Sequence, residues 1–103
     1  MYYKVGVKEY LETKGRVTST KNDAICVLYE VGEHEYFLTE TLEYKEIKKK
    51  IFGFTYKTIK VPKLGKLTAE GSKVTVMVNM NDPIDAFIDG NNGDTLEVKH
   101  YWH

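Results

Sequence analysis

A single cysteine, Cys26, excludes any disulfide within this chain and removes the usual demand for an oxidising compartment. It lies in the apolar run Ala24-Ile25-Cys26-Val27-Leu28-Tyr29, the setting of an inert packed thiol. Histidine is almost as scarce, with His34, His100 and His103 alone. None of the three forms an i, i+4 pair, so together with one cysteine they offer too few donors for a structural zinc site. His34, close to Gly32, reads as a solvent-facing turn residue. Serine occurs only at Ser19 and Ser72, neither in a nucleophile elbow, and no GxGxxG or Walker sequence cradles a phosphate. Cys26 and His34 can meet across a hairpin but stand in no recognisable catalytic signature. No catalytic residue, metal ligand or cofactor is therefore assigned.

Long apolar runs are missing too. Nowhere do 18 apolar residues follow one another, so the chain as given has no candidate spanning helix. The opening MYYKVGVKEYLETKG has neither an uninterrupted apolar core nor a small-residue cleavage site, as a signal peptide requires. A cytoplasmic or membrane-adjacent location is expected. Arginine, the usual bidentate reader of phosphate, occurs once, as Arg16.

The residues present describe a folded β domain. Hydrophobic residues make up 42% of the 103 and aromatics 13%, with eight tyrosines, enough apolar surface for one core. The length suits one domain, residues 1–103. The formal net charge is zero, from 15 basic and 15 acidic residues, so no global field recruits nucleic acid or an acidic partner. Its distribution is uneven. Residues 42–73 hold nine lysines against Glu43, Glu46 and Glu70, whereas residues 74–103 hold Lys99 against Asp82, Asp85, Asp89, Asp94 and Glu97.

Period-two patterns dominate. Val74, Val76, Val78 and Met80 alternate with Thr75, Met77, Asn79 and Asn81, a strand with one buried face. Asn81-Asp82-Pro83 then breaks the ladder, since proline has no N–H to donate, and Ala86-Phe87-Ile88 resumes it. Arg16 to Thr20, Ala24 to Val31 and Glu35 to Thr39 form a three-stranded meander, turning at Lys21-Asn22-Asp23 and Gly32-Glu33-His34. The first 14 residues fit a strand through Tyr3, Val5 and Val7, or a short helix through Val7, Tyr10 and Leu11. From Thr41 to Lys50, Tyr44, Ile47 and Ile51 fit a short amphipathic helix, with a continued strand as the alternative. Ile51 to Val61 reads as a strand with an aromatic face of Phe52, Phe54 and Tyr56, ending at Pro62. Gly90-Asn91-Asn92-Gly93-Asp94 is a hairpin signal, after which Leu96, Val98, His100 and Trp102 share a face. The expected fold is all-β or β-rich: a small antiparallel partly open barrel or two-layer sandwich of six or seven strands, with room for one short helix.

Residues Gly71, Lys73, Val74, Val76, Asp82, Pro83, Asp85, Ala86, Ile88 and Asp89 resemble the closing motif of a bacterial family called domain of unknown function 3592. Gly15-Arg16-Val17 resembles that family's opening strand, and Tyr29 to Leu38 its central hairpin. The likeness spans residues 15–41 and 71–89, while Ser72, Val78 and Met80 depart from the motif. It implies a small β-rich module, often tethered beside transmembrane helices, with no established catalytic activity. Residues 42–70 exceed the family's short loop and read as a basic, aromatic insertion.

That insertion is the candidate binding surface: Lys48, Lys49, Lys50, Phe52, Phe54, Tyr56, Lys57 and Lys60. Lysine ammoniums attract phosphate and anionic headgroups, and the aromatics can stack on bases or enter an interface. The plainer expectation puts the alternate aromatics in the core and the lysines on a solvated edge. A calcium loop among Asp82, Asp85, Asp89, Asn91, Asn92 and Asp94 is disfavoured, because no window satisfies the required frame and the fifth position from Asp89 is Gly93. The sequence thus points to a noncatalytic interaction or accessory module, contacting a protein partner or an anionic membrane surface, as the soluble part of a bacterial membrane-associated protein. The alternative is a barrel that binds single-stranded nucleic acid.

Overall fold

The chain is a nearly closed antiparallel barrel-like sheet from which a two-stranded arm projects. The structure, a computed structural model, describes the backbone of residues 2–5 and 8 and all of residues 9–101. Its strands are β1 (Tyr2–Val5), β2 (Lys8–Lys21), β3 (Ala24–Val31), β4 (His34–Thr41), β5 (Tyr44–Ile51), β6 (Phe54–Pro62), β7 (Lys73–Asn79), β8 (Asp82–Ile88) and β9 (Thr95–Tyr101). A 3-10 turn at Gly65–Thr68 is the helical element among the described residues. Six strands run in the order β8-β7-β2-β3-β4-β9, β1 pairs with the start of β2, and β5 pairs only with β6.

Side-chain alternation makes the interior. Val17 on β2, Ile25, Val27 and Tyr29 on β3, Tyr36 and Leu38 on β4, Val74, Val76 and Val78 on β7, and Ala86 and Ile88 on β8 form one buried cluster. Gly15 sits among them because a Cβ there would lie 2.5 Å from Val27 Cγ1 and 2.7 Å from Val76 Cγ2. On the outer face, Tyr10 packs edge-on against Phe87, 5.2 Å between centroids. Its hydroxyl donates to the Asp85 carboxylate, which also receives the Asn79 amide.

β8 and β9 share no ladder, so polar side chains tie the ends of the sheet together. Glu40 occupies the next inward position after Tyr36 and Leu38, and is completely buried. Its carboxylate accepts the Ile88 N–H at 2.8 Å and the Asn91 side-chain amide at 3.0 Å. Asn91, also completely buried, donates to the Thr41 carbonyl at 2.8 Å and accepts the Glu43 N–H at 3.0 Å. Burial pushes the Glu40 carboxyl above its ordinary range, with the Asn91 and Ile88 hydrogen bonds opposing.

Several expectations change. Residues 44–51 form a strand, because the β-branched and aromatic residues of β6 give β5 a ladder partner that outweighs its helical spacing. Residues 2–5 and 8–21 are strands as well; the barrel sheet holds seven strands, within the expected six or seven, and the two-stranded arm is separate from it. The Gly90–Asp94 turn does not make a hairpin: β9 pairs with β4, and Asn91 is drawn inside by Glu40. Met80 is exposed, lying in the turn that precedes β8. Trp102 and His103 lie outside the described residues.

Candidate functional site

The arm, made of β5, β6 and the turn between them, carries every residue of the sequence-derived binding surface, and none of them is packed in the core. At its base the Lys63 N–H donates to the Glu43 carbonyl at 2.9 Å, and the Tyr44 hydroxyl to Asp23 Oδ1 at 2.8 Å. That hydrogen bond raises the Tyr44 phenol above its ordinary value. Buried Leu42 and Leu64 flank the arm and fix its root to the barrel. Beyond the root it stands clear of the sheet.

Register decides which side chains share a face, since directly opposed residues in an antiparallel ladder point the same way. Ile47 opposes Ile59, Lys45 opposes Val61, Lys49 opposes Lys57, and Ile51 opposes Phe54. A bulge between Lys49 and Lys50 leaves Tyr56 as the extra residue and interrupts the alternation. The turn falls at Phe52-Gly53, with φ of 52° and 81°. Two successive positive φ values are the pattern of a type I′ hairpin, whose favoured sequence is Asn-Gly.

The continuous aromatic strand expected from Ile51 to Val61 is therefore divided. Phe52 is a turn residue, Phe54 opens β6, and Tyr56 sits at the bulge. Their exposures of 95%, 78% and 61% overturn the expectation that they pack in the core. The pattern indicated a strand, but among the described residues no second layer covers it. Ile47 and Ile51 are exposed beside them, apolar members of the surface that helical spacing had assigned to a buried stripe.

Charge follows the same axis. The arm carries Lys45, Lys48, Lys49, Lys50, Lys57 and Lys60 against Glu46. All six ammonium groups belong to exposed residues, and no ion pair with another described residue holds any of them. Lys49 and Lys57 face one another across the ladder, an arrangement that costs stability unless anionic material lies nearby.

No protein-family model, curated protein or solved structure matches this chain.

Other clusters are less developed. His34 lies in β4 rather than free in its turn: its Nδ1 is 3.0 Å from His100 Nε2, and His100 stacks on Tyr36 at 4.6 Å. Tyr36 in turn stacks on Tyr29 at 5.4 Å, whose hydroxyl donates to the Pro83 carbonyl at 2.6 Å. Cys26 opposes Thr39 and His34 opposes Val31, at opposite ends of the β3–β4 hairpin, so they share no pocket. Among the described residues no group of three or more His, Cys, Asp or Glu is placed to hold a metal ion, and no helix is long and apolar enough to cross a membrane.

Proposed function

We propose that this chain is a noncatalytic interaction module in which the barrel is the scaffold and the β5–β6 arm is the contact element. One observation carries the reading: Ile51, Phe52, Phe54 and Tyr56 are exposed on an arm that contributes nothing to the buried cluster. Exposed apolar patches of this kind mark association surfaces, and a fold needing only its own core has no use for them. Six lysines give the arm a preference for anionic partners. A soluble module seated beside a bacterial membrane, as the likeness to domain of unknown function 3592 implies, fits that preference. Single-stranded nucleic acid is the second reading, favoured by the exposed Phe54 and Tyr56 rings, on which bases can stack.

The test is removal of the arm. Lys45 and Val61 are directly opposed, so residues 46–60 can be replaced by an Asn-Gly turn between them. The shortened chain should melt within a few degrees of the parent and lose association with phosphatidylserine vesicles or labelled oligodeoxynucleotide, whichever the parent binds. Undiminished association of the shortened chain with that probe would overturn the arm's role.

A further inference from the structure

We infer that the arm docks tip-first into an anionic lipid bilayer, with Phe52 as the inserting residue and Lys49, Lys50 and Lys57 as a cationic collar at the headgroups. This rests on the reading of the arm as the contact element and names its partner.

The order of side chains along the arm carries the inference. Ile51, Phe52 and Phe54 surround the turn, and all three are exposed. The Lys49–Lys57 pair stands two residues behind Ile51 on β5, a setback of ~7 Å at strand spacing. Interfacial elements bury their apolar portion by about 5–10 Å, so a seated tip brings both ammonium groups level with the phosphates. The Lys49–Lys57 repulsion, unrelieved by any carboxylate within the arm's tip, is relieved there. Lysine suits the role, since a flexible stem lets the ammonium reach the headgroups while its methylenes stay among apolar atoms.

Phe52 supplies a separate argument. It adopts φ of 52°, a conformation unfavourable for a bulky L residue, and is 95% exposed. Turn chemistry calls for asparagine at this position, and solvent calls for a polar side chain. Phenylalanine meets neither demand in water, and both costs are offset if the ring enters an apolar phase. A second copy of the chain is a poorer occupant, because two arms of six lysines repel. Duplex or single-stranded nucleic acid would favour arginine, which the arm lacks.

The experiment is vesicle co-sedimentation of the intact chain at low salt, on phosphatidylcholine alone and on phosphatidylcholine with phosphatidylserine. Binding should be at least tenfold stronger on the anionic vesicles and fall steeply with salt. Phe52→Asn improves the turn chemistry and cannot act by unfolding the hairpin, yet should weaken vesicle binding about tenfold. Lys49→Glu, Lys50→Glu and Lys57→Glu together should abolish it. Equal binding by Phe52→Asn, or no binding by the intact chain, overturns tip insertion. An intact chain that ignores vesicles but shifts a labelled oligonucleotide, with the shift lost on shortening the arm, overturns the bilayer while leaving the arm as the contact element. Vesicle binding that survives removal of residues 46–60 overturns both.

Discussion

Asn91 donates its side-chain amide to Glu40 at 3.0 Å, joining two fully buried polar residues 51 positions apart in the chain. The pair latches β4 to the chain leaving β8, where the sheet has no backbone ladder to close it. Asn91→Ala removes that donation together with the bonds to the Thr41 carbonyl and the Glu43 N–H. It should cost about 2–4 kcal/mol, since it strips a buried carboxylate of a partner. Urea denaturation checks this, and a loss below about 1 kcal/mol would show that the latch is dispensable.

Glu40 also sets a pH dependence. Its carboxyl titrates above the ordinary range when folded, so the folded state holds its proton more tightly than the unfolded chain. The resulting stabilisation is complete below the unfolded value and is lost as pH rises through the folded one. Glu40→Gln cannot titrate. The melting temperature of the parent relative to this variant should therefore rise as pH is lowered from 7 towards 4, and a constant difference would refute the assignment.

Tyr29 predicts the alkaline counterpart. Burial, aided by Tyr36, Asp82 and Asp85, pushes its phenol above the ordinary tyrosine range, so the folded state keeps the proton that donates to Pro83. Tyr29→Phe should lose about 1 kcal/mol near neutrality. The gap should narrow above about pH 10, where only the parent's unfolded state gains by ionising. Chemical denaturation at pH 7 and pH 10.5 measures both, and a gap that widens would contradict the sign.

Gly15 is constrained by space and Gly32 by backbone. Gly15→Ala forces a methyl against Val27 and Val76 and should cost about 1–3 kcal/mol through overpacking. Gly32→Ala meets no atom within 4 Å, and its φ of 63° alone makes it unfavourable, by roughly 1 kcal/mol. An unchanged unfolding midpoint for Gly15→Ala would show that the interior has more room than the packing implies.

Much of the barrel was legible because its inward residues recur at every second position: Val74, Val76 and Val78 are buried as their spacing requires, although Met77 and Asn79 on the other face are buried as well. The meander of β2, β3 and β4 follows from the same signal and its Asn-Asp and Gly turns. Glu40 was missed because a charged residue is normally assigned outside, yet it holds the inward position two beyond Leu38 and two before Leu42. That interruption of an apolar series was the available sign. The arm's location was legible as a compositional shift, while its exposure was not: alternation identifies a strand and cannot say whether another layer covers it. Gly53 was the neglected clue, since a glycine between two phenylalanines breaks the aromatic series into a turn and a strand start.

Leu42 and Leu64 belong to the buried cluster, and nothing between them does. The packing of the interior is consequently insulated from the identity of the side chains in between. Substitutions between those two leucines can accumulate or be exchanged wholesale, like a cartridge in a fixed housing, without taxing the housing.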